Sequence, residues 1–567
     1  MNKTLFTCIL SIFAAIAFPF YIYACTGVYV GKNVSEEGTT IIARSEDYSS
    51  GSHPKHFMVQ ERIDKAGRYL EDIGNGLKVE LPKVTYKYTH LADSSYTKEG
   101  LYPGVCMNEM GLNVIGTVSA KASDEYYKLD PLEEDEGLRE AILPALIAAQ
   151  AQNAREACEI TAKLVDKYGS CEGNILLLSD REEAWIFEIY GGSSYCAIKL
   201  DPNMVSVFGN QFMIDWVDSK AKDKDHIYSK NLFKTLDSLD SVVKKGSKYN
   251  ITESIKPERS DNDNMRNWEG IRLFAGDKQA GEYDSGIYYP LQFTPEKNIS
   301  VIDIMNLYRD RYEGTSYDMR LGGNDFYRPI GTTRQTNVHI VQVFSELPKE
   351  SCSIQWLALG NAECSGFVPS FSGINDTLDA YKIDGSAYDP KSAYWAFKRI
   401  GVISQSDRTY LSEGVINFWQ TAEKKWLDRV LNELPSVESK YKKSSQEGSK
   451  YVTELSMDFM KEAIENSDIL YNSLLYKCAD NYQDTVKNSS AYFYMPVPLV
   501  SYAEEKGYKV NKNKDVYTLK KGKNTFTLEV NSDLCIKNDT IIKNLSYPLY
   551  EAYDKVWLPE NFISILN

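Results

Sequence analysis

The chain opens on Lys3, an apolar run over residues 5–23 and a small residue, Ala24. This order of charge, apolar stretch and small residue predicts a secretory leader over 1–24, cut after Ala24. Beyond it, Val28 and Val30 alternate with Tyr29 and Gly31, residues 35–38 carry turn chemistry, and Ile41, Ile42 and Ala43 run into Arg44-Ser45-Glu46-Asp47. The pattern reads as strand, turn, strand. Over 137–163 the period changes: Leu138, Ile142, Leu143, Leu146 and Ile147, then Ala157 and Ile160, recur at helical spacing, which predicts two helices broken near 150–153. From 169 to 210, apolar runs are punctuated by Ser179-Asp180-Arg181-Glu182, Gly191-Gly192 and Asp201-Pro202-Asn203, predicting a meander of four antiparallel strands. Segments 353–367 and 393–400 are expected to close this first domain. Residues 416–434 and 451–482 read as amphipathic helices, with a Lys/Ser-rich gap over 436–450 between them. Short β runs at 517–519, 525–530 and 541–542 follow. The expected division is therefore a main domain over 25–435, a helical linker over 436–490 and a small unit over 491–567.

Composition narrows the partners. The chain has 567 residues, 43% hydrophobic and 25% charged, with a net charge of −15. That balance argues against nucleic acid or an anionic membrane as a partner. After the leader no apolar run approaches the about 20 residues that span a bilayer. Of ten cysteines, Cys8 lies in the leader and Cys25 at its end. The others are scattered, with no Cys-x-x-Cys pair or Cys/His cluster at zinc spacing, so no metal is expected. In an oxidising compartment some would pair; as buried free thiols they would serve as small apolar groups. His53 and His56 are three apart with Pro54 between them and no third ligand, and read as solvated loop.

Cys25 admits three readings: a disulfide cysteine, a lipid-acylated anchor, or an N-terminal nucleophile. Tyr23 is bulky for a lipid-attachment site. Cleavage after Ala24 would leave Cys25 with both a thiol and a free α-amine. The thiolate attacks a carbonyl, and an amine with a reference pKa of about 7.7–8.0 can take the thiol proton near neutral pH. Before cleavage the same nitrogen is an amide without a basic lone pair. A hairpin of the predicted length returns Arg44 and Asp47 to the neighbourhood of Cys25. An arginine there favours a thiolate, and a carboxylate can accept from the α-amine; a surface ion pair is the plain alternative.

The opening Cys-Thr, then Val-Gly-Lys, a glycine turn and Ala-Arg-x-x-Asp resembles the cysteine dipeptidases of the N-terminal-nucleophile hydrolases, whose superfamily also holds penicillin V acylases and bile-salt hydrolases. The resemblance implies an α+β fold, a four-layer αββα sandwich, with Cys25 as nucleophile and base and Arg44 and Asp47 as its partners. Asn108-Glu109-Met110-Gly111 is similar to the family's Asn-Glu-x-Gly corner. The strand after it implies an oxyanion-hole group, with Thr117 and Ser119 as substrate-binding candidates and Val118 at a place often polar. Asp180-x-x-Glu183-Ala184-Trp185 also resembles the family. There Asn210 is implied as an oxyanion or substrate donor, while Gly209-Asn210 reads equally as a turn.

Glu313-Gly314-Thr315-x-Tyr317-Asp318, then Arg328-Pro329-Ile330 and Arg334, form the second specific block, which departs from the family at Gln335. The resemblance places Arg334 near the nucleophile, where an arginine could hold a carboxylate bidentately. His339 sits in an apolar alternation and reads as structural. The last 75 or so residues are similar to the small stalk domain named for copper amine oxidases, an interaction or spacing module. Taken together, the resemblances imply a secreted or envelope-located dipeptidase acting on a dipeptide or small amide without a cofactor. Two alternatives stand beside it: an acylase of penicillin V or conjugated bile salts, and a lipoprotein anchored through Cys25. Envelope contact through the last unit and an oligomer are left open.

Overall fold

The computed structural model describes residues 24–48, 53–93, 100–220, 224–257, 260–319, 327–481, 495–545, 549–559 and 562–566. The expected leader, apart from Ala24, lies outside the described residues. The strands that matter for the site are β1 (Ala24–Val30), β2 (Thr40–Asp47), β3 (Lys55–Gln60), β4 (Tyr88–Asp93), β5 (Val105–Asn108), β6 (Asn113–Ser119), β7 (Asn174–Ser179), β8 (Ala184–Ile189), β9 (Tyr195–Lys199), β10 (Val205–Phe208), β11 (His226–Tyr228), β12 (Gln335–Val343), β13 (Ser353–Leu359) and β14 (Val368–Phe371). The main helices are α1 (Leu143–Ala148), α2 (Ala154–Tyr168), α3 (Asp261–Ala275), α4 (Ala393–Ser404), α5 (Arg408–Lys443) and α6 (Ser445–Asn481). Helix and sheet are mixed, and the fold is α+β.

Two antiparallel sheets organise the chain. One is six-stranded in the order β10-β1-β2-β12-β13-β14, the other eight-stranded in the order β11-β9-β8-β7-β6-β5-β4-β3. Strands β1 and β2 face β6 and β7 across the gap between the sheets. Helices α1 and α2 lie on the other face of the eight-stranded sheet, while α3 covers β10 and α4 to α6 cover β13 and β14. A strand with cover on both faces must be apolar on both, which is why Asn-Ile-Leu-Leu-Leu-Ser of β7 and Ala-Trp-Ile-Phe-Glu-Ile of β8 show no clean alternation and are buried throughout. Ile175, Leu177 and Ile186 join the core between the sheets, whereas Leu176, Leu178, Trp185 and Phe187 join a second core under α1 and α2.

Residues 169–210 do form four strands, but they do not all stay in one meander. β7, β8 and β9 pair in sequence, while β10 crosses to the other sheet and pairs with β1, placing Gly27 opposite Phe208. Gly27 makes that approach feasible, since a Cβ there would sit 2.4 Å from the Phe208 ring. The turn at Asn108 is held by its own side chain, which donates to Ala148 and Ala151 and accepts from Met110 and Leu112. Gly111 supplies the positive φ of 88° that this corner needs.

The helical part is longer and more central than its sequence pattern. Position 435, expected to end the main domain, is Pro435 inside α5, and only Ser444 separates α5 from α6. The Lys/Ser-rich stretch is helical, supported by Glu438–Lys442, Lys443–Glu447 and Lys450–Glu454 pairs four residues apart. Trp419, Trp426, Val437, Val452, Phe459 and Leu470 pack into the same core as the sheets. The described part of the expected linker, 436–481, is thus part of the main body. After them, strands Lys509–Asn513 through Thr540–Asn544 form a five-stranded antiparallel sheet around a separate core that includes Leu519, Phe526, Leu528, Leu558 and Phe562. No helix among the described residues is long and apolar enough to cross a membrane, and the described cysteines form no disulfide.

Candidate active site

The register of β1 on β2 sets the geometry around Cys25. Cys25 lies opposite Glu46 and Gly27 opposite Arg44, so these four share one face of the hairpin; Ala24 lies opposite Asp47 and Thr26 opposite Ser45 on the other face. Because side chains alternate along a strand, Arg44 and Asp47 lie on opposite faces of the hairpin, so Arg44 touches Cys25 while Asp47 acts on it through its charge. Arg44 uses both ends of its guanidinium: Nη2 donates to Cys25 Sγ at 3.2 Å, and Nη1 donates to the Gly116 carbonyl of β6 at 2.6 Å. The hairpin therefore brings together the three residues that the sequence pattern singled out in it.

Asn210 arrives from the loop just after β10. Its Oδ1 accepts the Cys25 main-chain N–H at 2.8 Å, and its Nδ2 donates to the Ser119 carbonyl at 2.9 Å. One side-chain amide thus ties the start of β1 to the end of β6. Arg266 of α3, absent from the sequence reading, completes the cluster. It is fully buried, donates to the Cys25 carbonyl and, at 2.9 Å, to Thr26 Oγ1, reaches Asn210 Oδ1 at 3.1 Å and is ion-paired with Asp263. Asp263 also accepts the Asn210 main-chain N–H at 3.1 Å. A signal for this helix does exist in the sequence. Asn264, Arg266, Asn267 and Glu269 are polar yet buried, and a helix with so polar an inner face is suited to a site rather than to a plain core.

The arginine that meets Asp47 is Arg328, through Asp47 Oδ2. Arg334 lies just before β12, with its side chain exposed and its carbonyl accepting from Tyr48 N. Ser119 donates to Glu140 Oε2 at 3.3 Å. Thr117 lies at the irregularity where the β6–β7 register shifts between Ile115 and Val118. A small cavity of about 10 Å³, room for one water-sized group, is lined by Arg44, Glu46, Tyr102, Gly104, Gly116 and Glu140. His53 Nε2 is hydrogen-bonded to Asp93 at 2.7 Å and stacks on Tyr48, and His56 belongs to β3. Among the described residues no group of His, Cys, Asp and Glu is placed to hold a metal ion.

Electrostatics at Cys25 are a contest. Burial pushes the thiol pKa up, Arg44 pulls it down, and Asp47, Glu46 and Glu140 push it up again, leaving it above the ordinary thiol value. Burial opposes the charge on Arg44, but Cys25, Glu46 and Glu140 more than restore it. Burial also raises the Asp47 carboxyl, against the pull of Arg328, Arg266 and Arg44. His339, buried in β12 with Arg44 nearby, is held well below the usual imidazole range and stays neutral, its Nδ1 hydrogen-bonded to Asn337. A neutral, fully enclosed ring fits a structural role.

Comparison with known proteins places the chain in a family. "Probable dipeptidase B" of Streptococcus pyogenes serotype M1 is 30% identical over 465 residues, covering 79% of this chain and 92% of its own length. "Probable dipeptidase B" of Lactococcus lactis subsp. lactis is 29% identical, covering 68% and 82%. "Dipeptidase" of Bifidobacterium longum is 27% identical, covering 67% and 77%. Among solved structures, a mutant conjugated bile acid hydrolase from Clostridium perfringens covers 59% of this chain and 89% of its own at 10% identity. Its TM-score of 0.30 is too low to carry a fold assignment. The model of peptidase family C69 matches residues 24–421, which begin at the strand carrying Cys25 and end within α5. With that match over most of its length, the chain belongs to peptidase family C69.

Proposed function

We propose that this chain is a secreted or envelope-located cysteine dipeptidase whose nucleophile is Cys25 at a newly made N-terminus. The observation that carries the reading is the double hold on Cys25, Sγ by Arg44 at 3.2 Å and the main-chain nitrogen by Asn210 at 2.8 Å. Together they orient the two atoms that an N-terminal nucleophile uses. The names of the S. pyogenes, L. lactis and B. longum relatives support a dipeptide substrate. Helices against the outer faces of two mutually packed sheets support reading the main body as a four-layer αββα sandwich.

With the leader attached, the Cys25 nitrogen is an amide that donates to Asn210 and has no basic lone pair. After cleavage at Ala24 the same nitrogen is an amine. It keeps one N–H for Asn210 Oδ1 and gains a lone pair that takes the thiol proton as Sγ bonds to the substrate carbonyl carbon. Asp47 Oδ1, buried and without a hydrogen-bond partner, is an acceptor for a second amine hydrogen once Ala24, its opposite residue, is gone. The carbonyl π-electrons move onto oxygen, and Asn210 Nδ2, which now donates to Ser119, is the side-chain donor this reading assigns to that oxyanion. Collapse breaks the C–N bond, and the leaving amine takes the proton from the α-ammonium. Water then hydrolyses the thioester and restores the thiol.

The test is production of the full chain in a secreting host, intact-mass and N-terminal analysis, and assay against a dipeptide panel with penicillin V and glycocholate alongside. A chain starting at Cys25 that cleaves dipeptides, and loses this on Cys25→Ala with the fold retained, is the expected result. A diacylglyceryl mass on Cys25, or undiminished activity in Cys25→Ala, overturns the mechanism. A preference for penicillin V or glycocholate moves the substrate to non-peptide amides.

A further inference from the structure

Behind Arg44 lies a chain of buried charges that the mechanism does not use. Lys55 of β3 is 1% exposed, and its Nζ lies 2.6 Å from Glu46 Oε1 and also binds Asp93 Oδ1. Asp93 Oδ2 holds His53, so that carboxylate is occupied at both ends. The other Glu46 oxygen accepts Asn337 Nδ2 at 2.9 Å and stands 3.9 Å from Arg44 Nη1. Glu46 is therefore closer by more than an ångström to Lys55 than to Arg44. Burial would raise the Glu46 carboxyl, but Lys55 and Arg44 overcome it and hold the group ionised.

We propose that Lys55 is a positioning residue that keeps Glu46 from capturing Arg44, and thereby leaves the guanidinium facing Cys25 Sγ. A buried carboxylate requires a cation. If Lys55 is removed, Arg44 is the cation already at 3.9 Å, and its Nε, buried without a hydrogen-bond partner, is a donor that the freed carboxylate would satisfy. Nη2 would then leave Sγ, and the thiolate would lose its positive neighbour. The other charged or titratable groups facing these residues are Asp47 on β2, His53 before β3, His339 on β12, Glu140 before α1, Arg328 before β12, and Arg266 and Tyr308 from the helical side. The close side-chain contacts to the Glu46 carboxylate are those of Lys55 and Asn337.

The inference rests on Cys25 as the attacking group, so its test reads the thiol directly. The processed protein is alkylated with iodoacetamide across pH, and modification is followed by mass on the Cys25 peptide. Lys55→Met is expected to move the midpoint up by about one pH unit, an about tenfold slower reaction at pH 7. Lys55→Met combined with Glu46→Gln, which removes the competing charge, is expected to restore the rate to within about twofold, since one pKa unit is a factor of ten and no unit is then lost. Glu46→Gln alone should move the midpoint down, and serves as the test where Lys55→Met does not fold. A folded Lys55→Met protein with an unmoved midpoint, a double variant as slow as the single one, or an unmoved or raised midpoint in Glu46→Gln overturns the proposal. A merely structural lysine would predict no rescue by Glu46→Gln. Failure to hydrolyse any amide would instead overturn the proposed function, with the alkylation profile still legible.

Discussion

The main-chain nitrogen of Cys25 and Oδ1 of Asn210 lie 2.8 Å apart although 185 residues separate them along the chain. The distance is set by β10, which pairs with β1 so that the chain leaving Phe208 must pass the start of β1. Asp263 holds Asn210 from its main-chain side and Arg266 from its side-chain oxygen, so the amide has little freedom. The same nitrogen would be the base of the proposed reaction, and its orientation depends on this one amide.

Asn210→Ala removes that hold without adding bulk. Loss of about an ångström of alignment at a reacting group costs on the order of a hundredfold in rate. We expect kcat to fall by about that factor with a smaller change in KM, measured by steady-state kinetics on a cleaved dipeptide. A rise confined to KM, with kcat unchanged, would show that Asn210 serves substrate binding alone.

Gly270→Ala tests how α3 delivers Arg266. A Cβ on Gly270 would lie 2.3 Å from Val207 Cβ on β10, so helix and strand must separate. Overpacking of this kind costs about 1–3 kcal/mol, and the displaced helix carries Arg266 with it. Denaturant unfolding should show the loss, and dipeptide hydrolysis should fall further than stability alone accounts for.

Glu188 makes stability depend on pH. Its carboxyl is fully buried, accepts from Met213 N at 2.6 Å, and burial pushes its pKa from 4.5 up to about 7. The folded chain keeps that proton to about pH 7, while the unfolded chain releases it near 4.5. The contribution to stability is therefore complete below pH 4.5 and is lost as pH rises through 7. Glu188→Gln should raise stability at pH 8 by about 1–3 kcal/mol and leave it almost unchanged at pH 4, as followed by urea unfolding at both values.

Arg309 and Glu423 tie α5 to the main body. Arg309 donates to both Glu423 oxygens, at 2.8 and 2.5 Å, and to the Ala362 carbonyl, and all of these groups are buried. Arg309→Met leaves Glu423 charged and enclosed, a loss of about 3–5 kcal/mol. Thermal unfolding should register it, and a chain cut after residue 435 should fail to fold. A stable, active chain ending at 435 would show that α6 is dispensable to the core.

Much of the candidate site's geometry was legible because it is local. Cys25, Arg44 and Asp47 sit on one hairpin, and a turn at 35–38 is enough to bring the end of β2 beside the start of β1. The four strands of 169–210 and the two helices after residue 137 were legible for the same reason, since period and punctuation are local properties. Arg266 and Arg328 were not, because each reaches Cys25 or Asp47 through pairing that no neighbouring residue announces. Arg334 shows the converse: it stands in a familiar run of residues, yet its side chain faces solvent.

By itself the sequence determined the hairpin that carries Cys25 and the alternation of helical and strand segments, because each is encoded in residues within a turn or two of one another. Only the tertiary structure decided that β10 leaves its meander for the other sheet, that α5 and α6 belong to the core, and that Lys55 and Arg44 divide Glu46 between them. Those outcomes depend on which buried faces meet and which charges must then be matched. Such matching is a property of the assembled interior, not of any one segment of the chain.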